Sequence, residues 1–204
     1  MPVVNINTSY QKSIKAIDIL SKYMIECKNL ESKYQYIVSE VIMIRLFAIL
    51  ETTIGDMALK IACGARYKNG VVPLTHLTCS SINDAYNKMI SYNRGTRPLR
   101  YLKWTTVNDT KMCIMHILNT SDKFFVNIQN HKDLLDEMRL IRNHIAHKNA
   151  GTARKYYEVL KLIYSGNLRI AMGAFLTSIA RNPLPNIDRY LLSTPIILND
   201  ISTG

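Results

Sequence analysis

Residues Tyr34 to Gly64 read YQYIVSEVIMIRLFAILETTIGDMALKIACG, and the reading of this stretch decides the fold. Its charged side chains are Glu40, Arg45, Glu51, Asp56 and Lys60, and apolar residues occupy most of the remaining circumference of a helix. A helix apolar on nearly all sides belongs at the centre of a bundle, touched by several neighbours. Gly64 supplies its end signal. The most apolar run, Val41 to Leu50, holds Arg45 and is bounded by Glu40 and Glu51, so it is too short and too charged to span a bilayer.

Other helices are expected on either side. Ile14, Ile17, Leu20, Met24 and Ile25 recur at helical spacing within Ser9 to Leu30. Shorter helices are expected at Ser81 to Tyr92 and Asn108 to Leu118, the latter capped by Asn108. A fifth helix runs from Lys132 to Lys148 and stops at Asn149-Ala150-Gly151, with glycine as the left-handed cap. A sixth covers Thr152 to Tyr164 and a seventh Leu168 to Ala180. The tail, residues 181–204, contains Pro183, Pro185 and Pro195 and is expected to be irregular. The whole is an all-α, antiparallel helical bundle, read as one domain over 1–204, with a basic excursion at 66–104.

Composition agrees. With 204 residues the chain can bury about 70% of its unfolded surface, enough for a core without disulfides or metals. Glycine (8) and proline (6) are scarce, which disfavours a turn-rich β-sandwich. No two of Cys27, Cys63, Cys79 and Cys113 form a C-x-x-C element, and the first ten residues lack the pattern of a signal peptide. Free thiols in a reducing cytoplasm are expected.

Catalytic motifs of several kinds are missing. The sequence has no H-E-x-x-H, no Walker phosphate loop and no G-x-S-x-G. Metal and cofactor sites are therefore not expected. Attention falls on Arg142-Asn143-His144-Ile145-Ala146-His147 in the fifth helix. On a helical projection Leu134, Leu135, Met138, Ile141, Ile145 and Ala146 form an apolar arc that includes Arg142. A guanidinium there needs an anion. Arg139, Asn143 and His147 form a polar stripe at i, i+4 and i+8, and His144 is expected at the surface or rim. These residue types suit RNA cleavage by attack of a 2′-OH on the adjacent phosphate. Imidazole can accept the proton near neutral pH, and arginine can hold the phosphate oxygens through two parallel bonds.

The six residues resemble the R-x(4–6)-H signature of the HEPN superfamily, with four intervening residues here. Asn143 after the arginine and Ala146 before the last histidine are choices common in that family, including branches related to RiboL-PSP proteins. The segment Arg45-Leu46-Phe47-Ala48-Ile49-Leu50-Glu51 resembles the family's earlier core helix, which often carries an acidic residue. The resemblance implies a helical bundle that forms a homodimer, with two motifs meeting across the two-fold axis. It implies a metal-independent endoribonuclease, of the kind found in toxin–antitoxin and anti-phage defence systems, with an antitoxin or regulatory protein as a further partner. Carried over by position, Arg142 stabilises the phosphate, His147 moves protons and Asn143 supports them. Glu51 is the expected partner of Arg142, and Arg139 a supporting cation. In one branch a tyrosine two residues after the histidine can be adenylylated, and Asn149 occupies that position here. A non-catalytic RNA-binding or protein-interaction module of the same family is the alternative.

The charge distribution points the same way. Between Lys60 and Lys111 there are nine cations and two acids, so this quarter of the chain carries +7 of the net +11. Tyr67, Tyr92, Tyr101 and Trp104 are interleaved with them. Cations following a phosphate backbone and aromatics stacking on bases are the pattern of single-stranded nucleic-acid binding. Arg94, Arg97, Arg100, Lys103 and Trp104 are the expected RNA-binding residues.

Overall fold

The computed structural model describes residues 5–92, 101–181 and 183–204. Among them the structure is all-α, with nine helices and a single isolated bridge between Thr75 and Leu118. Helix α1 is Ile6–Cys27, and α2 is Ser32–Ala62, the 31-residue helix expected at the centre. Gly64, at φ +85, turns the chain out of α2, a backbone geometry that glycine adopts without steric cost. Helix α3 is Ile82–Tyr92 and α4 is Val107–Ile114. The cap of α4 is Thr106 rather than Asn108: its hydroxyl accepts from Asp109 N at 2.9 Å, and the helix starts one residue before Asn108. Helix α5, Lys123–Asn130, was not anticipated; Asp122 caps it.

Helix α6, Lys132–His147, carries the motif and leads directly into α7, Ala150–Tyr164. The residue with positive φ at this junction is Lys148 (φ 41), and Gly151 lies inside α7. Asn149 makes a reciprocal capping box with Thr152, so α7 begins two residues earlier than its apolar pattern suggested. Helix α8 is short, Met172–Thr177. The tail expected to be irregular instead forms α9, Asn186–Thr203, with Pro195 inside it. Pro183 and Pro185 precede this helix rather than interrupt it, and Ile187, Tyr190, Leu191, Leu198 and Ile201 are buried along it. Burial of that face outweighs the single backbone bond lost at Pro195.

The chain divides into two compact units, and α1, α2 and α9 each contribute to both. The first contains residues 1–14, 50–132 and 196–204. Its buried side chains include Ile54, Met57, Ile61, Met89, Ile114, Phe124 and Ile201. Asp122 is its polar centre: Oδ1 accepts from the Tyr67 hydroxyl and from Phe124 N, and Oδ2 accepts from Leu74 N at 2.7 Å. Burial, with the Asp122 carboxylate beside it, pushes the Tyr67 phenol far above its usual range. The second unit contains residues 15–49 and 133–195. There Glu137 accepts from Arg181 Nη2 at 2.7 Å and from the Tyr190 hydroxyl.

Candidate functional site

Helix α6 buries Leu135, Met138, Ile141 and Ile145, which orients its remaining faces. Ala146, expected in the buried arc, is exposed: it stands at the edge of that arc, beyond Leu135, next to the exposed His147. Arg142, expected within the arc, is half-buried. Its Nη1 donates to Asn143 Oδ1 at 3.1 Å. Its Nε is buried and has no hydrogen-bond partner among the described residues. Such an orphaned donor on a charged group is costly and rare in folded proteins.

Asn143, on the stripe with Arg139 and His147, thus bonds its neighbour Arg142. Arg139 is half-buried and holds Asp136 at 3.2 Å, so its charge is already balanced. His147 is the last residue of α6 and is exposed. His147 lies five positions after Arg142, which places them about 140° apart around an ideal helix. Glu51 is half-buried on α2 within the first unit, and Arg142 belongs to the second.

His144, expected at the surface or rim, is half-buried and has partners on α7. Its ring lies over that of Tyr156, with centroids 5.1 Å apart and planes at 17°, and its Nδ1 is 3.2 Å from Thr152 Oγ1. Partial burial, reinforced by the Lys148 ammonium, lowers its pKa below the usual imidazole value. His144 therefore joins α6 to the first turn of α7. Beside that joint is a concavity of about 320 Å³ lined by Asn143, Asn149, Thr152, Arg154 and Lys155, among others. It combines two cations with the capped start of a helix, an environment favourable to anions.

In the first unit, Arg94, Arg97 and Arg100 lie outside the described residues. Lys103 is exposed, and its ammonium sits 5.6 Å from the centroid of the exposed Tyr101 ring. Trp104 is half-buried against α2: a Cβ added to Gly55 would lie 2.6 Å from the indole Nε1. Tyr67, interleaved with the cations in sequence, is buried on Asp122. Three cations of the run are also engaged, Lys60 with Asp56, Lys88 with Asp84, and Lys68 with Asn199 Oδ1 and over the Tyr10 ring. Tyr92, one of the aromatics interleaved with the cations, has a stacking partner that the sequence did not mark. Tyr92 and His116, both exposed, stack with centroids 5.2 Å apart and planes at 25°. Only His116 lacked a signal, being an isolated histidine just after α4.

No group of His, Cys, Asp and Glu among the described residues could hold a metal ion, and no described helix is long and apolar enough to cross a membrane. No protein-family model, curated protein or solved structure matches this chain.

Proposed function

We propose that this protein is a metal-independent endoribonuclease of the HEPN type, with the C-terminal turns of α6 as its catalytic segment. The observation that carries the reading is Arg142: a half-buried guanidinium oriented through Nη1 by Asn143, with no acidic partner among the described residues. A scissile phosphate, met by the guanidinium's Nη groups, is the anion that would balance it. In this reading His147 takes the proton from the attacking 2′-OH, and Arg142 binds the phosphate oxygens as negative charge builds on them. The bond to the 5′-oxygen then breaks, leaving a 2′,3′-cyclic phosphate and a 5′-hydroxyl that has gained a proton.

The angular separation of Arg142 and His147 favours a homodimer in which one protomer's arginine works with its partner's histidine. RNA is held by the exposed cations and aromatics of the first unit. A toxin or anti-phage effector restrained by an antitoxin or regulatory protein is the setting this chemistry fits.

The test is incubation of the purified protein with RNA in EDTA, beside His147→Ala. Cleavage by the wild type, reduced about 10²–10⁴-fold in the variant, supports the assignment. Binding without cleavage by a well-folded wild type points to a non-catalytic RNA-binding module. Equal cleavage by both proteins removes His147 from the chemistry.

A further inference from the structure

Two of the four cysteines lie side by side. Cys63 follows the last residue of α2, and Cys79 precedes α3. The backbone N–H of Cys79 donates to the carbonyl of Ala62 at 2.7 Å. One residue on the other side of Cys63, a Cβ on Gly64 would lie 3.6 Å from Thr78 Cγ2. Cys63 therefore lies between two points at which the chain approaches the segment that contains Cys79, the first of them a hydrogen bond. Standard peptide dimensions added to the 2.7 Å bond limit the Cα–Cα separation to about 7 Å, and the angles at that bond make it shorter. Disulfides span about 4.4–6.8 Å between Cα atoms. The Asp84 carboxylate acts on both thiols, which places both towards the first turn of α3. Cys63 is half-buried and Cys79 buried, so Cys63 is the more exposed of the two.

We propose that Cys63 and Cys79 are a redox pair that forms a reversible intramolecular disulfide, with Cys63 as the attacking thiol and Cys79 as the resolving one. The oxidant is a low-molecular-weight disulfide of the glutathione class. The Cys63 thiolate attacks one sulfur of that disulfide, forming a mixed disulfide and releasing one small thiolate. The Cys79 thiolate then attacks the Cys63 sulfur, closing the protein disulfide and releasing the second. The two protons lost by the protein thiols pass to the two small thiolates, so the protein is oxidised by two electrons and the reagent reduced by two. Burial raises both thiols above their usual pKa, so little thiolate is present near neutral pH and both exchange steps are slow. The bond would fasten the entry to α3 onto the end of α2.

The full chain, freed of reductant and exposed to oxidised glutathione, is alkylated and read by intact mass and peptide mapping. The expected product has lost two hydrogens, links the Cys63 and Cys79 peptides, keeps Cys27 and Cys113 alkylated, and is reversed by dithiothreitol. Cys79→Ser should instead accumulate the mixed disulfide at Cys63, with circular dichroism confirming its fold. Persistence of that mixed disulfide in the wild type, a different pairing, or four free thiols would overturn the proposal.

Discussion

The imidazole of His144 is stacked on Tyr156, 5.1 Å between centroids, and the same ring reaches Thr152 at the start of α7. The stack places a titrating group at the joint between the motif helix and its successor. The folded pKa lies below the ordinary value of 6.5 because partial burial and Lys148 disfavour the cation, with Glu40 opposing them. Between the folded value and 6.5 the unfolded chain binds more protons, so stability falls as pH drops through that window and is complete above it. His144→Phe keeps an aromatic ring on Tyr156 and removes the titration. Urea unfolding at pH 7.5 and pH 5 should show a smaller acid loss for the variant than for the wild type. Equal losses would place the acid sensitivity elsewhere.

Gly173, in α8, sits against Tyr36: an added Cβ would lie 2.6 Å from Tyr36 Cα and closer still to its Cβ. Carbon atoms prefer about 3.5–4.0 Å, and here backbone stands in the way. Gly173→Ala should cost about 1–3 kcal/mol, read as a fall of several degrees in Tm. An unchanged Tm would mean that α8 can shift from α2 freely.

Arg142 separates function from stability. Its Nε has no described partner, so the group is held at a cost, and an apolar residue of similar length should relieve that cost. Arg142→Met is expected to cleave RNA at least about 10²-fold more slowly while unfolding at the same or higher temperature. Arg142→Lys keeps the charge but not the planar fork, and should be nearly as impaired as Arg142→Met. A strongly destabilised Arg142→Met protein would make the guanidinium a structural element instead.

Much of the fold was legible because its signals are long. The 31 residues of α2 are apolar on nearly every side, and Leu135, Met138, Ile141 and Ile145 repeat without interruption along α6. What escaped was short or carried by single contacts. Helix α5 has eight residues, too few to show a period, and is fixed by the buried Asp122 cap. Helix α9 was obscured by prolines that act before it or are tolerated within it. In the site, Arg142 and His147 were marked by their chemistry. The pairing of Asn143 with Arg142 and the stacking of His144 on Tyr156 depend on rotamers and on the turn at Lys148, which periodicity does not encode.

Trp104 shows the same limit. As an aromatic among cations it suggested a base-stacking surface, yet its indole lies against Gly55. Trp104→Ala should lower Tm by several degrees, since burying a large aromatic contributes roughly 3–5 kcal/mol where it is complete and less where, as here, it is partial. RNA affinity measured well below that Tm should change little. A loss of affinity of about 1–3 kcal/mol with Tm unchanged would restore the stacking role.

The remaining surface of the first unit separates charge from stacking. Lys103 and Lys111 are exposed and have no acidic partner among the described residues, while Tyr92 and His116 present a stacked pair to solvent. If this face holds single-stranded RNA, the lysines act through phosphates, and each phosphate contact adds about −0.7 to the slope of log affinity against log salt. Reversing both lysines to glutamate should weaken binding across unrelated sequences and flatten that slope by about 1.4. Tyr92→Ala with His116→Ala should cost roughly 1–3 kcal/mol per stacked base and leave the slope almost unchanged. Fluorescence anisotropy over a salt series, with an unlabelled competitor, reads both quantities for each variant. The distinction matters because any loss of cleavage could follow from weaker binding. At saturating RNA these variants should cleave at the wild-type rate, since they leave Arg142 and His147 untouched. A slope unmoved by the double charge reversal would exclude Lys103 and Lys111 from the RNA path and direct the search to Arg154 and Lys155 beside α6.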